Sequence, residues 1–273
     1  MPVRNTPTSY GAITKTFHWL TALLVFTVIP LGLAANSMAA DLRNPAIPLT
    51  EAAAVRTALL FSLHKTTGVA IFFVALARIL WAISQPRPGL LNAHRRGEAT
   101  LAETVHWLLY GSLVLVPLAG WISHAAATGF APIWWPFGQS LPFVPRDESV
   151  AATFGTLHII FQRVFFLAIL LHIAGALKHH FGDRDLTLRR MLPRGPGTPA
   201  APPQPPGAAR SAVALIAALA IWAAALGLGT AIGAFDRSDA ETEATGQTVP
   251  RPAPARCASA KPPPRSPCPS IRS

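Results

Sequence analysis

The sequence predicts an all-α fold: a transmembrane four-helix bundle plus a fifth transmembrane helix. Three observations predict it. Five apolar stretches each reach or approach the ~20 residues that a spanning helix needs. Of the 273 residues, 51% are hydrophobic and 13% are charged, against about 25% charged in ordinary soluble domains. In the fourth apolar stretch, TFGTLHIIFQRVFFLAILLHIAGALKHH, His158 and His172 stand 14 residues apart. At about 100° per residue, that spacing returns to within about 40° of the starting face, with a rise of about 21 Å. The rise covers most of a hydrocarbon core about 30 Å thick. One helix thus carries two imidazoles on one face, one near each membrane surface. Polar side chains in a membrane are costly and mark functional sites. Imidazoles at two depths suit two stacked haems, each needing a second axial ligand from another helix.

The elements follow in order. The first span runs from about Phe17 to Ala35 and opens on His18-Trp19. Its LGLAANSMAAD end has the small residues of a secretory cleavage site, but the long N-region and His18-Trp19 favour a retained helix. The second span, about Thr57 to Ile83, holds His64 near one end and Arg78 at 14 residues beyond it. The third, Glu103 to Ala127, opens on His106, and the fourth, Thr153 to His180, carries the histidine pair. The fifth, Ser211 to Ala234, has no charged residue, and its Ala225, Gly229, Gly233 spacing suggests a packing face. The domain reading is therefore residues 1–194 as the di-haem four-helix domain, 195–210 as a Pro/Gly-rich linker, 211–235 as the fifth helix and 236–273 as a disordered tail. Both cysteines, Cys257 and Cys268, fall in that tail, where an oxidising compartment would allow a disulfide. No CxxCH motif indicates covalent c-type haem, and no GxGxxG or P-loop indicates a nucleotide site.

Net charge is +11. The basic residues lie mostly between the apolar blocks, so membrane topology explains them without nucleic acid. With a cytoplasmic N-terminus, the inner segments hold eleven Lys and Arg residues, from Arg4 to Arg210, and the two outer loops hold only Arg43, Arg56 and Arg146. That bias orients a multi-pass chain with its N-terminus inside, and the fifth helix then puts the C-terminal tail outside.

Depth sorts the histidines. His18 and His172 share the inner level, and His64 and His158 share the outer level, so each pair can clamp one haem iron between two imidazole nitrogens. His106 also fits the inner level and competes with His18. Any one of these histidines alone reads as an interfacial side chain; four at matching heights do not. His94 and His124 read as solvated, and His179 and His180 as cations at a helix C-terminus. Arg78 reaches the inner level, where it either pairs with a haem propionate or snorkels. Lys65 and Arg163 are the basic residues nearest the outer pair. Gly68, Gly111, Gly120 and Gly175 read as packing positions or as room for a flat macrocycle. The tryptophans, Trp121 among them, read as an interfacial belt.

These pieces resemble the bacterial cytochrome b561 family of four-helix di-haem membrane proteins: FHWL at His18, LHKTTG at His64, VHWLLY at His106, LHII at His158 and LHIAGALKHHFGDRDLTLRRMLPR at His172. The resemblance runs from about Tyr10 to Arg194. It implies two b haems with bis-histidine iron ligation by His18, His64, His158 and His172. It also implies electron transfer within the membrane, with a quinone as acceptor and, as in some members, superoxide as the outer donor steered by Lys65 or Arg163. Two other readings stand beside it. One is the cytochrome subunit of a larger hydrogenase- or formate dehydrogenase-type complex, which needs a soluble redox partner. The other is a histidine-lined metal transporter or scaffold, against which the helices lack the acidic and polar residues of a cation path.

Overall fold

The computed structural model describes residues 2–48, 50–89, 91, 94–127, 131–136, 139–193 and 208–236. All of its regular elements are helices: α1 (Ala12–Arg43), α2 (Glu51–Ile83), α3 (Arg96–Ala126), α4 (Glu148–Leu177), a short α5 (Thr187–Met191) and α6 (Ala208–Ala231). A π-helical turn, Lys178–Gly182, continues α4. Five of these helices are long and apolar enough to cross a membrane. The first four begin five to seven residues before their predicted spans, and α1 also runs eight residues further, because hydropathy does not count the polar turns at helix ends. Thr50 starts α2 by accepting from the Ala53 N–H, and the Asp147 carboxylate starts α4 by accepting from the Ser149 and Val150 N–H groups. Such side-chain caps satisfy donors that a helix start leaves unpaired.

The helices pack in chain order, α1 on α2, α2 on α3 and α3 on α4. Among the described residues, α4 makes no comparable backbone approach to α1 or α2. The bundle is therefore closed on three sides and held apart on the fourth, where the histidines of α1, α2 and α4 converge. Between the two histidine levels lies an apolar layer of Val25, Ile71, Leu113 and Phe165, with Ala75 beside it. Val25, Ile71, Leu113 and Phe165 each follow a histidine by seven residues: His18, His64, His106 and His158. Seven residues are about two turns, so each helix returns the same face to the centre about 10 Å further along.

The fifth span, α6, packs across α3 and α4. Trp222 fills the contact with Leu108, Val164, Ala168 and Ala218. Phe161 meets the Trp222 ring edge-on at 5.1 Å, and Gly111 lets the indole approach α3. Ala225 joins this cluster, while Gly229 faces Ile160. Gly233 lies beyond α6 at φ +65°, where it ends the helix rather than packing it. The linker lies outside the described residues except for its last three, which begin α6. The tail beyond Asp236, with Cys257 and Cys268, lies outside them entirely.

The N-terminal end of the bundle is strapped by the segment after α4. Arg190 is buried, donates to the carbonyls of Gly89 and Thr8, and lies over the Tyr10 ring at 5.4 Å. Lys15 and Trp19 donate to the carbonyls of Leu192 and Met191. Outside this strap, Lys178 bridges Glu98 and Asp183 at 2.7 and 3.0 Å, and Arg95 reaches both carboxylates. His179 bonds Asp185 at 2.7 Å.

Replacing Arg190 by Ala leaves two half-buried carbonyls without their donor and is expected to cost about 1–2 kcal/mol; a lowered melting temperature in detergent, with the visible spectrum unchanged, is the measurement. The hydrogen bond from Lys178 holds the Asp183 carboxyl below its usual range. Its contribution is present above the ordinary carboxylate pKa of about 4 and is lost as pH falls through the depressed folded value. An acid titration of wild type and Asp183→Asn is therefore expected to converge in melting temperature at the acid end.

Candidate functional site

Each of the first four helices carries two marked positions 14 residues apart on its inward face: His18 and Gly32, His64 and Arg78, His106 and Gly120, His158 and His172. Because the helices alternate in direction, these eight residues form two levels. One holds Gly32, His64, Gly120 and His158. The other holds His18, Arg78, His106 and His172.

At the first level the imidazoles of His64 and His158 face each other with ring centroids 6.3 Å apart and planes at 85°. Both rings are anchored from behind. His64 Nδ1–H donates to the Val28 carbonyl at 2.9 Å, and His158 Nδ1–H donates to the Val116 carbonyl at 2.9 Å. These bonds fix the tautomer and leave Nε2 of each ring as a free acceptor. Glycine makes both approaches possible. A methyl group at Gly32 would lie 2.6 Å from His64 Cε1, and one at Gly120 would lie 2.9 Å from His158 Nδ1.

At the second level His172 has two imidazole neighbours. His18 lies at 6.1 Å with planes at 56°, and His106 at 5.2 Å with planes at 80°. His106 Nδ1 is bound to the Ala102 carbonyl of its own helix at 2.6 Å. Arg78 lies over the Tyr110 ring at 5.4 Å, one turn along α3 from His106. The structure thus brings together every sequence-predicted ligand, with Arg78 beside the second level.

The donor set fits a bis-imidazole haem iron. With a metal–nitrogen distance of about 2.0 Å and each centroid about 1.1 Å behind its nitrogen, two coaxial imidazoles on one ion stand about 6.2 Å apart. The separations of 6.3 Å and 6.1 Å match that value, while 5.2 Å is too short. Open space adjoins two glycines close in sequence to the histidines. Gly68, four residues after His64, and Gly175, three after His172, would each add a methyl group that meets nothing within 4 Å.

Beyond the first level, the α3–α4 connection folds over the bundle end. Lys65 Nζ donates to His124 Nδ1 at 3.1 Å and to the Ala131 carbonyl at 3.2 Å, and His124 Nε2–H donates to Gln139 Oε1 at 2.8 Å. Ala131 adopts φ +61° in presenting that carbonyl. His124, Gln139, Ser140 and Arg146 line a cavity of about 380 Å³ here. His124 is therefore not the free solvated side chain that its position at a helix end suggested. Arg163 is exposed on α4, away from this cavity. Trp121 is buried with Val69 and Ile133, and only Trp134 and Trp135 of this end lie in the covering loop. The belt reading thus fails for Trp121, which the loop covers with the stacked Phe73–Trp135 pair.

An all-helical membrane bundle with facing imidazoles at two depths defines a class, the membrane cytochromes of b type, which carry electrons. The particular family is established by comparison: the chain belongs to the prokaryotic cytochrome b561 family, matching it over residues 9–194. It is 31% identical to cytochrome b561 homolog 2 of Escherichia coli K12 over 195 residues, covering 70% of this chain and 95% of that one. It is 29% identical to the probable superoxide oxidase CybB of Yersinia pestis over 136 residues, 50% of this chain and 76% of the relative. Cytochrome b561 homolog 1 of Escherichia coli K12 is 26% identical over 131 residues, 48% and 73% of the two chains. Membership implies b-type haem, and α6 lies beyond the matched region.

Sequence reasoning missed Gly32 altogether and left Gly120 as a packing residue. The available signal was the 14-residue spacing itself, which relates Gly32 to His18 and Gly120 to His106 as it relates His172 to His158.

Proposed function

We propose that this chain carries electrons across a bacterial inner membrane through two b haems, from superoxide at the outer face to the quinone pool. His64 and His158 would hold one haem, and His18 and His172 the other. The supporting observation is the pair of centroid separations, 6.3 and 6.1 Å, each spaced for one iron between two rings. The separation of His106 from His172 favours His18 as the ligand and leaves His106 as a neighbour. Arg78 is placed to pair with a propionate of the second haem. Bound haem supplies reversible one-electron chemistry at each level. The Lys and Arg bias supports an outward His64 level, with the N-terminus cytoplasmic and the C-terminal tail periplasmic.

The protein's own part is binding, steering and exclusion of water. Superoxide gives up one electron and leaves as dioxygen; two such electrons and two protons convert a quinone to its quinol. The probable superoxide oxidase among the relatives supports superoxide as donor. Lys65 and Arg146 supply positive charge on the side where an anion would approach. Of the two basic residues nearest the outer pair, Lys65 is better placed than Arg163, because it faces the covered end of the bundle. At that end of α1, a mostly apolar cavity of about 390 Å³, lined by Lys15, Trp19, Leu20, Leu23 and Pro193 but not by His18, supports access for a lipid-soluble quinone. The layer of Val25, Ile71, Leu113 and Phe165 keeps water from the space between the levels.

The test is a dithionite-reduced minus oxidised spectrum with haem counted per chain by pyridine haemochrome. Two haems per chain are expected; none would end the reading. His158→Ala is expected to lose one haem, His18→Ala the other, and His106→Ala neither. Lys65→Gln is expected to slow superoxide-driven reduction about tenfold at low salt, with dithionite reduction unchanged. Stopped-flow absorbance in the Soret band measures it, and an unchanged rate would remove Lys65 from the role.

A further inference from the structure

The two histidine levels are not built alike. At the His64 level, each imidazole is held by a helix that is not its own. Val28 and Gly32 of α1 receive His64 of α2, and Val116 and Gly120 of α3 receive His158 of α4. Both receivers have the same four-residue spacing, a carbonyl followed one turn later by a glycine. The carbonyl accepts from Nδ1, and the glycine provides the space into which the ring backs. At the other level the described residues give His18 and His172 no hydrogen bond at all.

We infer that Val28–Gly32 and Val116–Gly120 are a matched pair of clamps that position the axial imidazoles of the His64-level haem and tune it, and that the His18-level haem has no such clamp. This rests on the ligation proposed above. Gly32 and Gly120 are positioning residues, acting through the histidines. The bond from Nδ1–H to a carbonyl makes an imidazole a more basic ligand. A more basic ligand favours ferric over ferrous iron, so the clamps lower the potential of the His64-level haem relative to the other. The consequence is directional. Electrons entering at the His64 level run downhill toward His18 and His172. The clamps also hold the two rings at 85°, against 56° for His18 and His172.

The experiment uses the full haem-loaded chain in detergent. Haem content, the low-spin ferric electron paramagnetic resonance spectrum and a reductive titration are recorded for wild type, Gly32→Ala, Gly120→Ala and Gly227→Ala. Gly227 lies on α6, where a methyl group meets nothing. His158→Ala identifies the component belonging to the His64 level as the one it loses. In wild type that component is expected to have the lower midpoint and the more anisotropic signal of near-perpendicular rings. In Gly32→Ala and Gly120→Ala its signal is expected to shift and its midpoint to rise, or that haem alone to be lost. The other component, and Gly227→Ala throughout, should not move. Unchanged spectra and midpoints in both glycine variants would overturn the clamps, as would equal shifts in both components. Should either variant fail to fold, the wild-type order decides: a higher midpoint for the component lost in His158→Ala overturns the inference. Retention of both haems in His158→Ala sinks the ligation reading instead, whatever the glycine variants do.

Discussion

The structure depends on keeping helices apart as much as on packing them. Two imidazoles that share an iron stand about 6.2 Å apart, ring centre to ring centre. A helix pair in direct contact, with axes about 8–10 Å apart, has no room for two facing rings and a macrocycle between them. The chain meets this by closing only three of the four bundle contacts. Strong α1–α2 and α3–α4 pairing makes two rigid hairpins joined along α2 and α3, and α4 faces α1 and α2 across the remaining gap. In lipid such a gap cannot be held open by water, so the b-type haem that family membership implies would complete the core.

The bilayer and the helix repeat then fix where everything else goes. An inward face recurs about every seven residues, and two sites near opposite surfaces must be about 14 residues apart. The four helices obey this together, which produces a histidine level, an apolar layer and a second histidine level in register. The middle layer has a different task from the outer two. Val25, Ile71, Leu113 and Phe165 offer no hydrogen-bonding side-chain group, and electrons can tunnel across such a packed apolar contact.

The fold was legible because hydropathy and the 14-residue spacing are properties of the sequence itself. The level of each histidine followed from the same arithmetic. Residues that act through absence of a side chain were harder. Gly32 and Gly120 matter because another helix places a ring against them, and no local pattern announces that neighbour. Trp121 was misread for a related reason. Its position near a helix end matches an interfacial aromatic, but the loop carrying Ile133 and Trp135 folds back and buries it. His124 likewise gains its partners from Lys65 and Gln139, distant in sequence. The bonds of Arg190 to Gly89 and Thr8 join three segments that only the closed bundle brings together.

The placement of polar bonding follows the same division. Ion pairs and other side-chain hydrogen bonds gather at the two ends: Lys178, Arg95 and Arg190 at one, Lys65 and His124 at the other. Between the ends, the polar contacts that cross between helices near the site are those of the two imidazoles to Val28 and Val116. A bundle fastened at its ends keeps its centre free to be set by the cofactors. The hairpins then need not carry specificity in their apolar contacts, which lipid competes with on nearly equal terms. What they must keep is the distance from each receiving carbonyl to its histidine. In both hairpins that distance is 2.9 Å, and it is kept at the level where the proposed donor delivers its electron.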